Sequence, residues 1–243
     1  MRGTKKVIFL GAASMAVLLF FFSMHIYGRD NQSNKLKIVA LGDSLTYGKG
    51  DPTRKGYIGR VRDGLAKKSG RPVILNNFGI SGQRSDQLLL QLRNEVVLKS
   101  LNEADDIFLF IGTNDFRKSA SWNFFHLDPE RMAEGQKRLQ KNLAQITKII
   151  RSQNKNAPIY IIGLYNPYMG KVDDKHCGPT IRKWNRSIYK ISQETPGATY
   201  IPTFDLFTHI NKNTYFFDYI HPNERGYTLI SKRVLKVVKP LKE

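Results

Sequence analysis

The sequence predicts a doubly wound α/β sandwich built on a five-stranded parallel sheet, preceded by an apolar amino-terminal segment. Two observations carry that prediction. Short apolar runs of strand length alternate with longer stretches of helical period, and the runs are apolar at nearly every position rather than at every second one. A strand covered on both faces reads that way, and both faces are covered when each strand is followed by a helix that crosses back. About 208 residues follow the amino-terminal segment, enough for one substantial core and too few for two comfortable ones.

The elements follow in order. Leu36–Gly42, "LKIVALG", is a mostly apolar run ending in glycine, the first strand. Tyr57–Lys68 repeats apolar residues at three and four spacing and stops at Gly70, so it predicts a helix. Pro72–Gly79 is the second strand, and Ser85–Leu101 opens on a cap-like serine and predicts one continuous helix. Asp106–Asp115 is the third strand, apolar from Ile107 until Gly112. Asp128–Pro129 starts a long helix through Gln153, with proline at the favoured first helical position. Ala157–Pro167 is the fourth strand, followed by a helix from about Thr180 to Glu194. Ala198–Phe204 is the fifth strand, and Asn223 caps a last helix to about Val238. Internal repeats and low-complexity segments are absent.

The amino end is organised differently. Residues 1–6 form a basic tail with Arg2, Lys5 and Lys6, and Val7–Tyr27 carries no Asp, Glu, Lys or Arg. At about 1.5 Å per residue that stretch spans roughly 31 Å, the depth of a bilayer's hydrocarbon core. A cleaved secretory signal is the competing reading, but its apolar region runs only about 7–15 residues. The sequence therefore predicts a transmembrane signal anchor over residues 7–27, with the amino end in the cytoplasm. Residues 28–35 make a short polar tether, and residues 36–243 the exported domain.

The single cysteine, Cys177, excludes an internal disulfide framework. The net charge is +19, from 39 Lys and Arg against 20 Asp and Glu. No zinc-finger spacing or RNA-binding aromatic motif accompanies it, so nucleic acid is not the predicted partner. Anionic headgroups or wall polymers are the better match.

In such a sheet the ligand crevice lies beyond the carboxyl ends of the strands, and that rule sorts the candidate residues. Gly42-Asp43-Ser44 follows the first strand, "GISGQ" with Gly82 the second, and "GTND" with Asn114 the third. Serine hydrolysis needs a nucleophile, an imidazole to take its proton, an acid to orient the imidazole, and donors for the oxyanion. Ser44 is the candidate nucleophile. Asp218 and His221, three residues apart before the last helix, supply the acid and the base. The Ser44 N–H, the Gly82 N–H and the Asn114 amide are the candidate oxyanion donors. Taken singly, Ser44 and Gly82 also read as turn residues and Asn114 as a cap. Asp43 is read as a structural cap for the turn after it, with a second orienting acid as the alternative. His126, His176 and His209 read as surface or packing residues in loops, and one His beside one Cys falls far short of a metal site.

Four blocks in order, "GDSL", "NNFGISGQ", "GTND" and "DYIHPN", make the region from Leu36 to about Val238 resemble the SGNH hydrolases, also called GDSL esterases and lipases. The resemblance implies a flavodoxin-like three-layer sandwich, ester hydrolysis without metal or other cofactor, and an acyl-enzyme intermediate. It assigns the four signature roles to Ser44, Gly82, Asn114 and His221, with Asp218 as the acid. Similarity to lysophospholipase- and thioesterase-like bacterial members points to single-chain acyl esters as substrates. The loop Phe116–Asp128, with Trp122, Phe124 and Phe125, is the predicted wall of the acyl pocket. O-acetyl groups of wall polysaccharide, or an idle site on a lipid- or wall-binding module, are the alternative readings.

Overall fold

The structure, a computed structural model, describes residues 34–168, 174–208 and 210–238. The predicted cytoplasmic tail and signal anchor lie outside these residues, as do most of the tether and His209. Among the described residues no helix is long and apolar enough to cross a membrane.

Five parallel strands form one sheet: β1 (Leu36–Gly42), β2 (Val73–Asn77), β3 (Asp106–Phe110), β4 (Ile159–Ile162) and β5 (Ala198–Ile201), in the order β2-β1-β3-β4-β5. This is the flavodoxin-like order, with its switch point between β1 and β3. The sheet centre is dry: Val39 to Leu41, Ile107 to Phe110 and Ile159 to Ile162 are all buried. That explains why these strands read as continuous apolar runs. The first strand has its predicted bounds, and the other four are shorter than predicted, chiefly because the residues after them leave the sheet to build the loops of the carboxyl edge.

Helices cover both faces. On one face α2 (Gly56–Ser69) packs against α9 (Glu224–Val237). On the other, the long α6 (Pro129–Gln153) packs against α3 (Ser85–Gln91), α4 (Glu95–Asn102), α5 (Thr113–Ser119) and α7 (Asp174–Glu194). The single helix predicted over Ser85–Leu101 is two helices. Asn94 leaves the helical conformation and its side chain accepts the Val96 N–H, capping α4. Ser85 is not the cap of α3 but its first residue. The predicted strand Asp106–Asp115 ends at Phe110, so Asn114 sits in the first turn of α5 rather than at a strand end. Helix α7 starts at Asp174 and runs through Pro179, placing His176 and Cys177 in a helix and not a loop. Proline costs the helix one N–H donor, and the predicted start near Thr180 overstated that loss.

Short elements complete the carboxyl edge: α1 (Ser44–Tyr47), a 3₁₀ turn over Phe204–Phe207 and α8 (Lys212–Tyr215).

Candidate active site

The first strand delivers Ser44 to the switch point. Gly42 ends β1 where a Cβ would stand 2.3 Å from the Phe110 carbonyl oxygen, so only glycine lets β1 and β3 finish side by side. Asp43 follows in extended conformation, and its Oδ1 accepts the Leu45 N–H at 2.9 Å. Ser44 is thereby the first residue of α1, at 6% exposure.

The last loop brings the base. Phe216 bridges Pro222, and the Phe217 N–H donates to the His221 carbonyl at 2.8 Å, closing a tight loop ahead of α9. Within it Asp218 divides its carboxylate between two tasks. Oδ1 accepts the backbone N–H groups of Ile220 (2.9 Å) and His221 (2.7 Å). Oδ2 lies 2.6 Å from His221 Nδ1, while His221 Nε2 lies 2.9 Å from Ser44 Oγ. An ionised carboxylate can only accept, so the imidazole proton sits on Nδ1 and the Nε2 lone pair faces the serine hydroxyl. The chain Asp218–His221–Ser44 joins residues 177 positions apart in sequence.

Electrostatics suit a base. Burial lowers the His221 pKa from its ordinary 6.5, and the charges of Lys49 and Arg117 act the same way. Asp218 opposes them without cancelling them, so the ring is neutral at pH 7. Burial raises the Asp218 carboxyl, but the hydrogen bonds from His221 and Ile220 outweigh it and hold the group below its ordinary value. Asp43 behaves oppositely: burial pushes it up to about 7 against the Leu45 hydrogen bond.

Two further loops reach the same edge. Gly82 has φ of +81° and is exposed, with nothing within 4 Å of where a Cβ would stand. Its conformation, not crowding, calls for glycine. Neither its N–H nor that of Ser44 has a partner among the described residues. Asn114, 6% exposed, donates from Nδ2 to the Gln83 carbonyl at 3.0 Å and lies 3.5 Å from Asp43 Oδ2. The three loops after β1, β2 and β3 therefore meet at Asn114.

Residues to which sequence reasoning had given no part in the site fix this meeting. Asp115 accepts both the backbone N–H of Ser85 (3.0 Å) and its hydroxyl (2.5 Å), and Asn142 on α6 donates to Ser85 Oγ at 2.9 Å. The clamp ties the residue after Asn114 to the helix that follows Gly82. Arg117, one turn on from Asn114, approaches Asn114 Oδ1 at 3.5 Å. Its place three residues past Asn114 on one helix was the available signal. Of the predicted pocket aromatics, Phe124 stacks on Tyr168 at 4.0 Å, whereas Trp122 and Phe125 are exposed. His126 is exposed in the loop before α6. Among the described residues no cluster of His, Cys, Asp and Glu is arranged to hold a metal.

Such an arrangement can deprotonate a serine and surround an oxyanion with donors. Known proteins resemble the chain as a whole. YpmR of Bacillus subtilis strain 168 is 34% identical over 206 residues, covering 83% of this chain and 81% of its own. The spore germination lipase LipC of Bacillus licheniformis is 26% identical, covering 82% of this chain and 94% of its own. The lipase Lip_vut3 from a goat rumen metagenome superposes with a TM-score of 0.70 at 25% identity, over 82% of this chain and 95% of its own. The model of the GDSL-like lipase/acylhydrolase family matches residues 40–229, a span that takes in all the loops of the carboxyl edge from Ser44 to His221, and the chain belongs to that family of serine ester hydrolases.

Proposed function

We propose that Ser44, His221 and Asp218 are the catalytic triad of an esterase acting on single-chain acyl esters of the lysophospholipid kind. The observation that carries the reading is the unbroken hydrogen-bonded chain from Asp218 Oδ2 through both ring nitrogens of His221 to Ser44 Oγ. Ser44 Oγ attacks the ester carbonyl as His221 Nε2 takes its proton, and Asp218 stabilises the imidazolium. The oxyanion is held by the N–H groups of Ser44 and Gly82 and by the Asn114 amide. Collapse expels the alcohol, which carries away the proton from Nε2, and leaves an acyl-serine. Water then attacks the acyl carbon, His221 takes the water proton, and the carboxylic acid departs with Ser44 restored.

Support for an acyl-lipid substrate comes from the exposed Trp122 and Phe125 and from the net charge of +19. A hollow of about 420 Å³ beneath Phe125, Leu127 and Met132 has Trp184 in its wall, and Trp184 packs edge-on against Phe116 beside the site. One observation favours the second reading, removal of O-acetyl groups from wall polysaccharide. The apolar crevice between Thr113, Phe116, Leu164 and Tyr168 holds only about 10 Å³, room for hardly more than a methyl.

A series of 4-nitrophenyl esters from acetate to palmitate decides between them, with Ser44→Ala as the control. Rates that climb with chain length support the acyl-lipid reading, and a sharp preference for acetate replaces it with the second. Turnover by the wild type that survives in Ser44→Ala refutes the triad.

We further propose that residues 7–27 anchor the enzyme as a single-pass protein with its domain outside the membrane. Full-length protein should then sediment with membranes and resist salt washing. Active domain in the medium with a new amino terminus near Gly28 would show a cleaved signal instead.

A further inference from the structure

Arg117 is a guanidinium beside the reacting centre with no acid to neutralise it. It forms no ion pair among the described residues, because the acids nearest to it are otherwise engaged. Asp115 is bound to Ser85, Asp43 caps Leu45, and Asp218 holds His221. Its Nε is buried without a partner, and its polar contacts are to neutral groups, the Tyr168 hydroxyl and, at 3.5 Å, Asn114 Oδ1. Its charge is nonetheless felt at both His221 and Asp43, which places it at the site.

The surrounding backbone is arranged for this side chain. Ser121 and Trp122 both hold positive φ, +49° and +63°, a conformation that costs a bulky residue free energy. The Trp122 N–H returns to the Arg117 carbonyl at 3.2 Å, and the turn sets the indole with its centroid 4.1 Å from the guanidinium carbon. An arginine stacked on an aromatic face keeps its planar edge for in-plane hydrogen bonds, and that fork matches a phosphate. Lys49 is a second, exposed cation whose charge also reaches His221.

Resting on the acyl-ester reading above, we propose that Arg117 anchors a phosphate carried by the alcohol portion of the ester, making phosphorylated acylglycerols the favoured substrate class. An unneutralised cation here also works against the imidazolium that forms as Ser44 attacks. A bound phosphate would quench that cost. Arg117 is thus a specificity-determining residue that the motif blocks do not contain.

Two matched pairs test this: 1-oleoylglycerol against its 3-phosphate, and 1-butyrylglycerol against its 3-phosphate, each presented in the same mixed micelles. Within a pair the scissile bond and acyl group are identical, so the ratio of kcat/KM values reports recognition of the phosphate alone. The wild type should favour the phosphate. Arg117→Gln should reduce that preference about 10- to 100-fold, the range of a charge-assisted hydrogen bond, chiefly through KM. Arg117→Lys, which keeps the charge and loses the fork, should retain part of it. Because the ratio is internal to each protein, partial misfolding of a variant cancels. An unchanged ratio in Arg117→Gln overturns the proposal, as does equal loss on both members, which would mean that Arg117 acts only through Asn114. Cleavage of the butyryl pair alone refutes the long-chain reading while the ratio still judges Arg117. Cleavage of neither pair by the wild type overturns both.

Discussion

Replacing Asp218 by Asn separates the geometry of the last loop from its chemistry. The Asn Oδ1 can keep the hydrogen bonds that Asp218 Oδ1 accepts from Ile220 at 2.9 Å and His221 at 2.7 Å, so the loop should close as before. What changes is the 2.6 Å contact to His221 Nδ1, where an amide NH₂ replaces a carboxylate oxygen. A donor there turns the imidazole to the other tautomer, with its proton on Nε2 facing Ser44 Oγ. The serine then has no base. Turnover should fall by about 10³–10⁴ in kcat with little change in KM. Stability should stay within about 1 kcal/mol, since the side chain is 35% exposed and such pairs are weakly coupled to folding. A pH profile adds a second reading. His221 is lowered by burial and supported only by Asp218, so losing the carboxylate should move the acid limb of residual kcat/KM to still lower pH. Stopped-flow or steady-state ester hydrolysis between pH 4 and 9, with urea melts alongside, measures both. Activity within tenfold of wild type, or an acid limb that moves upward, would refute the assignment of Asp218 as the orienting acid.

Asn114→Ala should lower kcat by about 10²–10³ and leave KM nearly unchanged, because the amide hydrogen bond strengthens only as the oxyanion forms. A rise in KM at constant kcat would make Asn114 a ground-state contact. A stability prediction concerns Asp106, 1% exposed at the start of β3, with neither carboxyl oxygen bonded among the described residues. Burial, with Asp105 beside it, raises it from 3.8 to about 7, so the folded state holds the proton more tightly than the unfolded chain. Its contribution is full below 3.8 and lost as pH climbs to about 7, a loss bounded at ~4 kcal/mol. Asp106→Asn should therefore gain stability relative to wild type between pH 4 and 7.5 in urea titrations, and a difference independent of pH would contradict the buried carboxyl.

The sheet and most of its helices were legible because their signals are local. Apolar runs, the Asp128–Pro129 start and the Gly70 stop each act within a few residues. The break at Asn94 was written in the sequence as a capping side chain, but Val96, Val97 and Leu101 continued the helical period across it and masked it. Asn114 was assigned the right edge and the wrong element, because "DIFLFIGTND" stays apolar beyond the point where pairing with β4 ends. The candidate triad was readable from Asp-x-x-His and a serine at a strand end. Its supports were not. Asp115, Ser85 and Asn142 lie 30 and 57 residues apart and meet only through the packing of α3, α5 and α6. Arg117 was hidden differently: among 39 basic residues, one without an acidic partner is visible only when the partners of the nearby acids are known.

The direction of β1 has a practical consequence. Leu36 enters the sheet at one edge, the seven-residue strand carries the chain about 20 Å at 3.3 Å per residue to Gly42, and Ser44 stands two residues beyond that end. Whatever is joined upstream of Leu36 thus meets the domain at the edge remote from the reaction. An affinity tag, a display protein or a solid support coupled there leaves the mouth between Gly82, Asn114 and His221 open to solution. The enzyme can be immobilised through its amino end and still accept polymers or micelles too large to diffuse into a buried cleft, whereas coupling through surface lysines would place a support at the exposed Lys49, in the loop just after the Ser44 helix.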